Sequence, residues 1–213
     1  MSGVARHNSA ARFLADEGGA AMVEFAIVSA VFFLAFFQLL GFGMFASTNL
    51  MAEKATQLAA RLAVVRPAAC AGLPDRITAS DIVPAPAFGT NCRASIDAAS
   101  TCSAVPEASC AGSAANKTAD EIWTLIEPML PPDTEIDDLQ FTYTFDPNLG
   151  YLGGPYTPMV TVELTVPNQT TELFDLISRL AVNAGGGDGF EGPQYRTISI
   201  SLPAEDLNEG TGG

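Results

Sequence analysis

Between Phe25 and Ala46 the chain runs for 22 residues with only two clearly polar members, Ser29 and Gln38. As an α-helix this stretch measures roughly 33 Å, enough to cross a hydrocarbon layer of about 30 Å. Phe25, Phe32, Phe33, Phe36, Phe37, Phe42 and Phe45 leave the helix no polar face to turn toward water. A buried helix of a soluble protein is therefore a poor reading, and a membrane span is the better one. A cleaved secretory signal is a rival, since Arg6 and Arg12 supply its basic start. It fits less well, because signal peptides carry an apolar stretch of only about 7–15 residues and this run opens beside Glu24.

Charge divides the chain at Pro67. Residues 1–66 hold five basic and four acidic side chains, a net of +1, whereas 67–213 hold five basic and 20 acidic, a net of −15. All four cysteines, Cys70, Cys92, Cys102 and Cys110, follow the division. The chain thus reads as an apolar anchor joined to an acidic domain, and the acidity excludes nucleic acid as a partner. Four cysteines suit an oxidising exterior. The only histidine is His7, no Gly-x-Ser-x-Gly occurs, and the carboxylates are scattered, so an enzyme is not expected. No cofactor or metal is expected either: zinc lacks paired cysteines at short spacing. Asp188 and Glu191 offer oxygen ligands in a Gly-rich turn, but not at the spacing of a calcium loop.

The residues ahead of the span read Gly19-Ala20-Ala21-Met22-Val23-Glu24-Phe25-Ala26-Ile27-Val28. A glycine, a glutamate five residues later and a long apolar helix resemble a type IV prepilin processing site. Within that class the segment resembles the TadE-like minor pseudopilins of tight-adherence (Tad) pili. Phe42-Gly43 near the end of the span and Ala59-Ala60-Arg61-Leu62-Ala63 beyond it add to the likeness. The resemblance covers about residues 12–66. It implies a cytoplasmic leader, 1–19, cut by a prepilin peptidase between Gly19 and Ala20. Glu24 would then lie one turn in, on the face of Ala20, with Phe25 beside it as part of the assembly segment. It further implies a non-enzymatic, structural role in pilus assembly, on the inner membrane with the C-terminal domain outside. The implied partners are other minor pseudopilins, the major pilin, the assembly platform and the peptidase. An unprocessed single-pass anchor with a binding or scaffold domain, or a domain freed by signal peptidase, remain the alternatives.

Helical periodicity continues past the span. Met51, Ala55, Leu58, Leu62 and Val65 form one apolar stripe, with Glu53, Lys54, Gln57 and Arg61 opposite and Pro67 as the stop. A helix over 20–66 would be roughly 70 Å long. The stripe should pack on the chain's own domain, residues 67–207, or on partner subunits.

Segment 67–116 is rich in Ala, Ser and Pro and too poor in large apolar residues for a core of its own, so two disulfides should staple it. Three connectivities are open, and sequence proximity favours Cys70–Cys92 with Cys102–Cys110. Thr118 to Leu130 reads as a helix, with Thr118 and Glu121 as a capping box and Pro131-Pro132 as the stop. Alternating strands are expected at 139–145, 160–166 and 197–202, with a helix over 171–182 before the last and a disordered tail over 208–213. The class is α+β: a long N-terminal helix and a small antiparallel sheet with one face packed on helices, as in pilin-like folds.

Overall fold

The structure, a computed structural model, describes residues 19–93, 100–167, 178–179, 182–183, 185, 195–205 and 207. The chain divides into two compact units, residues 1–45 with 170–192, and residues 46–169 with 193–213. The fold is α+β, with one long N-terminal helix and a four-stranded antiparallel sheet. The expected tail, and most of the expected helix over 171–182, lie outside the described residues. Ser178, Arg179 and Val182 are helical.

Helix α1 spans Ala20–Ala63, 44 residues, or roughly 66 Å. In the first unit it exposes Met22, Phe25, Ile27, Phe32, Phe33, Phe36, Phe37 and Phe42. Phe32 and Phe36 stack one turn apart with ring centres 6.2 Å from each other, as do Phe33 and Phe37. Rings at this spacing lie on one face and cover each other only in part.

In the second unit α1 turns a different face inward from the one expected. Ala52, Ala55, Thr56, Ala59, Ala60 and Ala63 are fully buried. Of the predicted stripe only Ala55 is; Leu62 is partly buried, while Met51, Leu58 and Val65 are exposed at 46%, 37% and 42%. The physical reason is volume. The same core already holds Phe141, Tyr143, Ile122 and Ile126, so a helix joining it packs closely only through small side chains. Thr56 satisfies its buried hydroxyl by donating to the Ala52 carbonyl at 2.9 Å. Ala59→Leu should therefore destabilise the domain by about 1–3 kcal/mol through overpacking. Leu58→Ala should shift stability by less than about 1 kcal/mol, as the larger change in side-chain size falls on the exposed face. Urea titration of both variants checks the order.

The sheet order is β1-β2-β3-β4, all antiparallel, with β1 Ala108–Ala111, β2 Leu139–Thr144, β3 Met159–Leu164 and β4 Ile198–Pro203. Leu139, Phe141 and Tyr143 alternate with Val160, Val162 and Leu164 across β2 and β3 to floor the core, all fully buried. The period-2 reading found β2, β3 and β4 to within two residues at each end. It missed β1, because Ala-Ser-Cys-Ala shows no apolar alternation. That strand is held by its pairing with β2 and by a bridge from Cys110.

Helix α2 spans Lys117–Ile126 and is capped by Asn116, two residues before the expected Thr118. The Asn116 side chain accepts from Ala119 N–H and donates to the Ala69 carbonyl, both at 2.9 Å. One amide thus caps the helix and ties it to the segment after α1. Thr118 is buried, and Glu121 lies 3.8 Å from both Arg66 and Lys117. The α-helical part stops at Ile126, earlier than Pro131-Pro132 would require. Pro128 has no N–H to donate back to Thr124, so Glu127–Met129 tightens into a 3₁₀ turn.

The disulfides join Cys70 to Cys110 and Cys92 to Cys102. This corrects the pairing favoured by proximity. Pairing of β1 with β2 carries Cys110 to the start of the segment after α1, with Cα atoms 5.6 Å apart across that bridge. Around Cys92–Cys102 a second, smaller core gathers Ile77, Leu152 and Tyr156. The cysteine segment cannot fill a core alone and borrows Leu152 and Tyr156 from the β2–β3 connection.

Candidate functional site

The candidate site is the start of α1. The helix begins at Ala20, directly after Gly19, so the Gly19–Ala20 bond sits at the boundary between helix and preceding chain. Gly19 is exposed, and a Cβ built on it meets nothing within 4 Å. Glu24 is exposed and makes no ion pair among the described residues. It stands four residues after Ala20, one helical turn, or about 6 Å along the axis. Phe25 beside it is 73% exposed.

Downstream, six exposed phenylalanines follow on α1 between Phe25 and Phe42, counting both. Burying each of them would contribute roughly 1.5–3 kcal/mol, so a face this apolar calls for cover by lipid or by other chains. The helix is long and apolar enough to cross a membrane. A carboxylate at the edge of such a face is costly when it lacks a partner.

The cysteines form no part of this site. They staple the second unit, where Tyr143 marks the join between sheet and the chain leaving α1. Its hydroxyl accepts from Ala69 N–H at 2.9 Å. Burial pushes the Tyr143 phenol above its usual pKa, and that hydrogen bond pulls it part of the way back. Asp188 and Glu191, weighed as calcium ligands, lie outside the described residues.

Sequence reasoning passed over one concave feature. A cleft of about 820 Å³ opens between Ile77, Pro86, Phe88, Tyr151 and Leu152. Its one charged side chain is Arg76, which donates to the Gly153 carbonyl at 3.3 Å. Gly153 sits at φ +82°, and a Cβ there would come within 2.5 Å of the Phe88 ring. The signal available in the sequence was the glycine pair Gly153-Gly154 facing an isolated aromatic, Phe88, in a Pro/Ala-rich loop.

Compared with known proteins, no curated protein and no solved structure matches the chain. The family model described as TadE-like protein matches residues 19–61. That match begins at Gly19, includes Ala20, Glu24 and Phe25, and ends two residues before α1 does. The likeness to the TadE-like family thus lies in residues 19–61, where the glycine, the glutamate and the apolar helix that resemble it stand.

Proposed function

We propose that this chain is a minor pseudopilin of a Tad-type pilus, made with a cytoplasmic leader of residues 1–19 and cut between Gly19 and Ala20. The observation that carries the reading is exposed Gly19 directly ahead of the helix that starts at Ala20, with Glu24 one turn in and an exposed apolar face beyond, all within the TadE-like segment. Cutting there creates a new amine on Ala20. In a filament or membrane cluster, the Glu24 carboxylate of one subunit then pairs with the Ala20 amine of a neighbour. At 4 Å and an effective dielectric of about 20, that attraction is worth about 4 kcal/mol, and an unpaired carboxylate in the same place is penalised. Before assembly the span holds the subunit in the inner membrane, with the acidic, disulfide-bonded domain on the oxidising side. Its partners in this reading are the peptidase, other minor pseudopilins, the major pilin and the inner-membrane platform.

The test is the intact mass of the chain recovered from membranes, with N-terminal sequencing. Loss of residues 1–19 and a free Ala20 are expected. A full-length chain would leave an unprocessed anchored scaffold, and a cut near Ala46 would leave a secreted domain. Glu24→Ala should be processed like the wild type but fail to join or promote pili. Normal piliation in that variant would remove the pairing from the mechanism.

A further inference from the structure

Among the described residues strand β4 is an edge strand, and hydrogen bonds at the two margins of β3 reveal which of its groups face outward. Thr165 N–H donates to the Asp138 carbonyl at 3.0 Å, and Ala204 N–H donates to the Pro158 carbonyl at 2.8 Å. Because backbone groups alternate sides along an antiparallel strand, these two bonds set the phase of the whole sheet. On β3, Val160, Val162 and Leu164 point their N–H and C=O toward β4. On β4, Leu202, Ile200 and Ile198 answer them across the register. Thr197, Ser199 and Ser201 therefore turn their N–H and C=O away from the sheet.

All three of those residues are exposed. Their hydroxyls are tied back to β3, Ser199 to Glu163 at 3.1 Å, Ser201 to Thr161 at 2.8 Å and Thr197 to Thr165 at 3.3 Å. What the edge offers outward is backbone. The apolar side of the same strand is incomplete as well. Ile198, Ile200 and Leu202 are only half-buried, where their neighbours on β3 are fully buried. Natural sheets blunt such edges with charges, prolines, bulges or short strands. Strand β4 carries one such device, Pro203 at its very end, beyond the three outward-turned residues; 197–202 itself has no charge and no proline, and the six pairs of 198–203 with β3 run without a bulge. The opposite edge, β1, is only four residues long and is anchored through Cys110.

We propose that the outer edge of β4 docks an extended segment of another polypeptide as a fifth strand. Its backbone pairs with Thr197, Ser199 and Ser201, and its alternate apolar residues extend the cover over Ile198, Ile200 and Leu202. The segment carries net positive charge, since residues 67–213 hold 20 acidic against five basic side chains and, beside the strand, exposed Glu205 at one end and Glu163 behind Ser199 outnumber exposed Arg196 at the other. The edge involves neither Gly19 nor Glu24, so it stands or falls apart from leader cleavage.

The full chain in detergent micelles is titrated with a fluorescent seven-residue peptide of alternating valine and threonine with a lysine at each end. Saturable binding is expected, at least tenfold weaker for the same peptide ended with glutamates. Ser199→Pro and Ser201→Pro each remove an outward N–H while sparing the backbone bonds to β3 and giving up one exposed hydroxyl contact, to Glu163 or Thr161, a substitution that edges tolerate. Each should weaken binding at least tenfold with the thermal transition unchanged. Should either variant lose its thermal transition, a peptide N-methylated at alternate amides gives the same answer on the unaltered chain, with binding abolished. Absence of saturable binding, or undiminished binding by the folded proline variants or the N-methylated peptide, overturns the proposal. Equal binding of the glutamate-ended peptide overturns its charge requirement.

Discussion

Gly19→Arg should accumulate in the membrane at full length, uncut, with the folded domain unchanged. The expectation is of nearly complete loss of processing, because a protease subsite that accepts a hydrogen rejects a long cation both by volume and by charge. The structure separates this effect from any damage to the chain. A Cβ at Gly19 meets nothing within 4 Å, and Gly19 lies outside the left-handed region that favours glycine. At the Cβ the substitution thus costs neither a clash nor backbone strain, and an unchanged thermal transition beside the changed mass assigns the effect to processing. Gly19→Ala, the smaller step, should slow the cut without abolishing it. Intact mass and the thermal transition of the purified chain check both parts. A Gly19→Arg chain that still begins at Ala20 would refute cleavage governed by this glycine.

Removing the Cys70–Cys110 bridge should be the most damaging change in the second unit. The two cysteines are 40 residues apart, and those of the other bridge 10. In the chain-entropy account these loops correspond to about 4 and about 2.7 kcal/mol of stabilisation. Domains of this size are stable by only about 5–15 kcal/mol, so the longer loop represents a large share of the total. Its position adds to the effect. Cys70 follows Ala69, whose N–H is held by Tyr143 and whose carbonyl is held by Asn116, while Cys110 lies in β1. Cutting the bridge frees the edge strand from the segment leaving α1. Urea unfolding of Cys70→Ser/Cys110→Ser should show a midpoint lowered by about 2 M at an m-value of ~2 kcal/mol/M. Cys92→Ser/Cys102→Ser should lose less. The reverse order would contradict the loop-length account, and a peptide map showing Cys70 joined to Cys92 would contradict the pairing itself.

The features legible along the chain are those set by neighbouring residues. A long apolar run has to be a span or be covered. A glycine, then a glutamate five residues on, marks the head of that span. Alternation of apolar and polar residues located β2, β3 and β4, since a strand with one face buried shows its period directly. Each of these follows from local geometry and from the cost of leaving apolar area in water.

What packs against what is not local, and there the readings diverged from the fold. Helical spacing on α1 selected Met51, Ala55, Leu58, Leu62 and Val65, yet of these only Ala55 is fully buried, and the helix turns Ala52, Thr56, Ala59, Ala60 and Ala63 inward with it, into a core that Phe141 and Tyr143 share. Nearness in sequence paired Cys70 with Cys92, but the pairing of β1 with β2 brings Cys110 to Cys70 instead. The uncovered edge of β4 also has no signature in its own residues, because Thr197, Ser199 and Ser201 face outward only by virtue of a phase set at Thr165 and Ala204. The long apolar helix, its TadE-like segment and the strand periods were therefore legible in composition and spacing. The buried helix face, the disulfide partners and the free edge were decided by volume and register, which exist only once distant segments meet.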